Sequence, residues 1–299
     1  LEDEIQVEEK MRKIFFDADQ SVRNGWKILA YLFLMVVTDG LCLAILHVGS
    51  ISPSARRFVP DSLLFLIGGL IAAAICLHFE NESFKRLGLK LNRRFIVQFG
   101  IGLVCGAVLL GITAVVVWSL GGYHLVRGPR VDPILLFGST WLLFVSAAFE
   151  EIVFRGYLFQ RSVRGIGVMP AQVIFATLFV LAHLGAPGLS GAAMILPSST
   201  IFLAAMMLGF CYLRTGSLAL PIGVHMGWNW LQESLGFSVS GRTLKGFWIP
   251  VTHDRPDWLT GGAFGLEASM VSVSVLVVTV LFLMRWQGRA GARLQISSR

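Results

Sequence analysis

Charge is what this chain has least of. Asp, Glu, Lys and Arg make up only 14% of its 299 residues, against 55% hydrophobic ones. Soluble domains carry about a quarter charged residues, so this composition, with a mean hydropathy of +0.71, excludes an ordinary water-soluble enzyme and reads as a polytopic membrane protein. Cysteine is scarce too. Cys42, Cys76, Cys105 and Cys211 fall in apolar runs at no metal-ligand spacing, so they read as small buried apolar side chains and define neither a zinc site nor a redox compartment. There is no internal repeat, no low-complexity tract and no linker long enough to separate independently folded units, which leaves one membrane domain. The formal net charge of +7 is spread between apolar runs rather than gathered into a patch with interleaved aromatics. No nucleic-acid partner is expected.

About eight apolar runs are long enough to cross a bilayer, at 26–48, 62–79, 95–120, 133–158, 168–184, 197–213, 217–236 and 263–286, each near the ~20 residues a transmembrane helix needs. The fold expected is an all-α polytopic helical bundle with its active site inside. Residues 1–25 form a charged leader, 26–130 the N-terminal spans with an interfacial segment, 131–236 the functional core, and 237–299 an external loop, the last span and a basic tail. The leader is too charged to be the n-region of a signal peptide, so the first span reads as retained. Met11, Ile14, Phe15 and Phe16 share one helical side of the leader, which suits a helix lying on the membrane surface. Seventeen basic residues fall in the leader, the even-numbered connections and the tail, and seven in the odd-numbered connections. By the positive-inside rule both termini face the cytoplasm, in the cell (inner) membrane. Trp248 and Trp258, in the long external stretch, suit the membrane–water interface.

Against this background the intramembrane polar residues are few. The acids in or near apolar runs are Asp39, Glu150, Glu151, Glu233 and Glu267, and the histidines are His47, His78, His183 and His225. A carboxylate at mid-membrane costs about 2.5–3.5 kcal/mol on insertion scales, so each is a functional candidate by default. In "SAAFEEIVFRGYLF", Glu150 and Glu151 sit about 100° apart on a helix and cannot point the same way. Glu151 is four residues before Arg155 and can pair with it. That leaves Glu150 without a local counter-charge, the condition for a general base. "FVLAH" ends in His183 ahead of a Gly/Pro break, and "HMGWN" sets His225 and Asn229 four apart on one helical face. Imidazoles with carboxylate or amide oxygens can hold zinc or a similar divalent ion, or can orient one water without a metal. Neither the G-x-S-x-G elbow nor the H-E-x-x-H zinc signature occurs. Asp39 reads as facing a polar interior or pairing with an Arg of another helix, Glu233, one turn beyond Asn229, as structural or interfacial rather than as support to the site, and Glu267 as interfacial.

Three motifs in this order, E-E-x-x-x-R at Glu150–Arg155, F-x-x-x-H at Phe179–His183 and H-x-x-x-N at His225–Asn229, resemble the CPBP family of intramembrane proteases, which includes the type II CAAX prenyl endopeptidases and Abi or bacteriocin-immunity relatives. The resemblance covers roughly 133–236. It implies a membrane peptidase in which Glu150 activates the attacking water. His183, His225 and Asn229 would hold that water, a divalent metal such as zinc, or the oxyanion, with Glu150 as a further metal ligand, while Glu151 and Arg155 position the catalytic helix. The partners implied are a membrane-associated peptide or protein substrate and the bilayer. Two other classes stay open on the residues alone. One is a non-hydrolytic binding or immunity protein on the same fold. The other is a proton-coupled transporter, disfavoured because the polar residues crowd into the second half without a counterpart in the first.

Overall fold

The computed structural model describes residues 6, 12–48, 59–128, 132–187, 191–243, 246–252 and 254–286. Met11, the His47 side chain, Arg56, Arg57, Arg130, Lys245 and the tail after Trp286 lie outside the described residues, and with them some of the charge asymmetry read from the sequence.

The chain is an all-α helical bundle, with one small strand pair among the described residues. Among them too, five apolar stretches are long enough to span a membrane. They are α1 (Asn24–Val48), α2 (Asp61–Phe79), α3 (Arg93–Ser119), α4 (Pro133–Arg155) running on into α5 (Tyr157–Ile166), and α7 (Ile195–Thr215). The other expected spans are shorter: α6 (Val168–His183), α8 (Ala219–Ser234) and α10 (Met270–Arg285) have 16 residues each, about 24 Å of helix against a hydrocarbon core of ~30 Å. The stretch expected to open the last span instead folds into the one-turn α9 (Asp257–Thr260) and two 3-10 turns, 262–264 and 266–268. A second departure is the antiparallel pair β1 (Tyr123–Arg127) and β2 (Trp248–Thr252). Neither strand alternates apolar and polar residues cleanly, so a period-2 reading does not find them.

Local chemistry sets the ends of the helix that matters most. Asp132 caps α4 by accepting from the Ile134 amide at 2.9 Å, with Pro133 at the first helical position. Gly156 breaks the long apolar run after Arg155, at a point where a Cβ would lie 2.1 Å from the Ile152 carbonyl oxygen. The chain therefore turns directly after the Glu150–Arg155 segment.

The most extensive helix contact among the described residues joins α3 to α8, and glycines explain it. Gly102 and Gly106 on α3 face Gly223 and Gly227 on α8. A Cβ on Gly106 would fall 2.0 Å from the Val224 carbonyl oxygen, and one on Gly227 2.0 Å from that of Leu103. Small-xxx-small faces of this kind let membrane helices approach backbone to backbone, and here they fix the helix that carries His225 and Asn229. On the outside, α1 lies largely open to lipid, with 11% of its apolar window buried. It is tied to α2 by Thr38 Oγ1 donating to the Gly68 carbonyl at 2.9 Å, beside Asp39, whose carboxyl packs on Gly68. Ahead of α1, Ile14, Phe15 and Phe16 are exposed together, with Phe15 stacked on Trp26 at 5.0 Å.

Candidate active site

α4, α6 and α8 bring the polar residues together. Glu151 is fully buried and its Oε1 accepts from Arg155 Nη1 at 3.1 Å. The guanidinium is buried as well. It donates to the Ala205 carbonyl of α7 at 2.9 Å and lies 4.9 Å from the centre of the Phe179 ring. One carboxylate thus neutralises one cation in a place where either alone would cost several kcal/mol.

The same Glu151 oxygen is 3.0 Å from Nδ1 of His225, a contact that joins residues 74 positions apart and that no spacing rule announces. An ionised carboxylate can only accept, so Nδ1 carries a proton, and in the neutral imidazole Nε2 presents the lone pair. Nε2 points at Glu150, with Oε2 3.8 Å away. Glu150 Oε2 itself is a buried oxygen without a hydrogen-bond partner among the described residues. His183 takes the same tautomer by a different route. Its Nδ1 lies 2.8 Å from the Phe179 carbonyl, which can only accept, so Nε2 is again left with a lone pair. Phe179 separates the two imidazoles, at 4.7 Å from the His183 ring and 6.4 Å from the His225 ring.

His183, His225 and Asn229 line one side of a cavity of about 50 Å³, room for a few waters. Glu150 is not among its lining residues but neighbours His225, which is. Thr200, Ser240 and Glu267 line the same cavity, and Glu267 interacts electrostatically with His225. Glu267 therefore differs from its interfacial reading. It is 8% exposed, accepts a hydrogen bond from the Ser240 backbone amide, and lies in the turn outside the spanning helices. Burial pushes its carboxyl up to about 7, against the lowering effect of Ser240. Glu233 is buried on α8, while Asp39 sits on α1 and His78 is exposed at the end of α2, on helices other than the three that carry the site. Ser240, Thr200 and the Glu151–His225 bond were not apparent from the sequence. The first two are ordinary hydroxyl residues, in a loop and in an apolar helix, with no local pattern to single them out.

Among the described residues no three His, Cys, Asp or Glu side chains converge in the manner of a metal site.

Carboxylates and oriented imidazoles at a small cavity in an apolar helical bundle define a membrane-embedded protein with a site suited to acid–base chemistry on a bound water. Residues 132–231, a third of the chain, match the family model described as Type II CAAX prenyl endopeptidase Rce1-like, in agreement with the CPBP resemblance. The match supports an intramembrane endopeptidase in general, acting on a membrane-associated substrate. No curated protein matches the chain in a sequence comparison.

Proposed function

We propose that the chain hydrolyses a peptide bond of a membrane-associated or lipidated peptide with Glu150 as the general base. The observation that carries this reading is the placement of Glu150 Oε2 3.8 Å from a His225 Nε2 whose lone pair is set by Glu151. A water beside that pair gives one proton to Glu150 while its oxygen attacks the scissile carbonyl carbon, and its other hydrogen is held by His225 Nε2. The Asn229 carboxamide, one turn along α8 and lining the same cavity, donates to the oxyanion. Collapse of the tetrahedral intermediate breaks the C–N bond, and Glu150 returns its proton to the leaving amine. Glu151 and Arg155 touch no reacting atom: they hold the His225 ring and its tautomer. No step runs through a metal ion. The positive-inside count that accompanies this reading turns the end of the bundle bearing Arg161 and Arg164 toward the cytoplasm of a cell membrane.

The test is cleavage of prenylated and unprenylated fluorogenic peptides by the purified protein in bilayers. Glu150→Gln is expected to lose at least ~100-fold in kcat, His225→Ala and His183→Ala to be impaired in preparations that remain folded, and excess chelator to leave the rate within about twofold. Unchanged cleavage in all three variants would remove the proposal.

A further inference from the structure

The cavity has polar lining groups that water activation leaves unused. Glu267 is held there by the Ser240 amide, and Thr200 on the same lining has a buried hydroxyl oxygen without a hydrogen-bond partner among the described residues. None of the lining residues is Lys or Arg, and Arg155 is already occupied by Glu151 and the Ala205 carbonyl. Glu267 is therefore a buried carboxylate facing a cavity with no Lys or Arg on its walls; His225, Ser240 and Gln232 offset its burial only in part, and a cationic ligand would supply a full counter-charge. Much of the remaining lining is apolar, including Ile201, Met207, Leu208 and Trp228. Hydrocarbon walls ending in one carboxylate complement a long aliphatic stem with a cationic tip.

We propose that Glu267 is a specificity-determining residue, and that the cavity receives a lysine or arginine side chain of the bound peptide close to the bond that is cut. The stem lies along Ile201, Met207 and Trp228, and the cation meets the Glu267 carboxylate. This rests on the endopeptidase reading of the site and names a substrate class for it. A purely structural staple between Ser240 and the 266–268 turn would serve equally with a neutral amide, which gives the charge a test of its own.

The experiment uses two membrane-anchored peptides that differ only in lysine against norleucine beside the scissile bond. At about pH 8, where Glu267 is ionised, wild-type protein is expected to favour lysine by about tenfold or more in kcat/KM, and Glu267→Gln to bring the ratio close to one. Equal cleavage of the two peptides by wild type overturns the assignment and needs no variant to fold. A preference that survives Glu267→Gln overturns it as well. Photocrosslinking of the same peptides to Glu150→Gln protein, with and without Glu267→Gln, reads selection independently of turnover. Glu267-dependent capture of the lysine peptide without any cleavage by wild type would support the charge selection and defeat the endopeptidase reading.

Discussion

Removing either carboxylate of the Glu150–Glu151 pair should have opposite consequences. Glu151 is fully buried, and Glu151→Gln would leave the Arg155 guanidinium uncompensated in the bundle. Breaking a buried pair in this way costs about 3–5 kcal/mol. Glu150 is 24% exposed at its side chain and its Oε2 has no hydrogen bond to lose, so Glu150→Gln should change stability by less than about 1 kcal/mol while stopping cleavage. Thermal unfolding and peptide cleavage, measured on the same detergent-purified preparations, separate the two. Equal loss of stability in both variants would contradict this division of labour. Some of the division is legible in the sequence, because the four-residue spacing of Glu151 and Arg155 sets them on one helical face. The bond from Glu151 to His225 is not, since it depends on how α4 meets α8. Glu267 illustrates the same limit: next to an apolar run it looks interfacial, and only the turn that precedes α10 folds it onto the cavity.

At the scale of elements, α8 holds its place through glycine. Gly106→Ala would drive a methyl carbon to 2.0 Å from the Val224 carbonyl oxygen, a backbone atom that can move only if α8 moves, and that helix carries His225. Overpacking of this kind typically costs about 1–3 kcal/mol. Gly100 on the same helix has nothing within 4 Å of its added Cβ, so Gly100→Ala should be neutral or slightly stabilising, since alanine is the better helix former. The expected outcome is a lower unfolding temperature and lower kcat for Gly106→Ala beside an unaffected Gly100→Ala; matching behaviour of the pair would show that α3 and α8 are not held by close backbone approach. Apolar length makes most of the helices legible in the sequence. The strand pair is hidden there because Tyr123–Arg127 and Trp248–Thr252 lack alternation and are more than a hundred residues apart, so their pairing is a consequence of the helices bringing two loops together.

For the molecule as a whole, the N-terminal helices are locked to the site-bearing half by an ion network at the end of α2. Glu80 meets Arg161 at 2.6 Å and Lys27 at 3.5 Å, and Tyr157 also contacts Glu80. Glu82 meets Arg161 and Arg164, both on α5, at 3.2 Å each, and Arg86 at 3.3 Å. Burial alone would raise the Glu82 carboxyl, but Arg161, Arg164 and Arg86 outweigh it and hold it below its ordinary value of 4.5. A carboxyl whose folded pKa is depressed contributes stability that is complete above the unfolded value and disappears as pH falls through the folded one. Glu82 is partly open to solvent, so screening reduces that contribution and salt should reduce it further. The unfolding temperature of Glu82→Gln should accordingly lie below that of wild type at neutral pH, and the gap should close as pH is taken below 4.5 or as ionic strength is raised. A gap that persists unchanged at low pH would mean that Glu82 acts through packing or hydrogen bonding rather than charge, and that α2 is held to α5 by something other than this network.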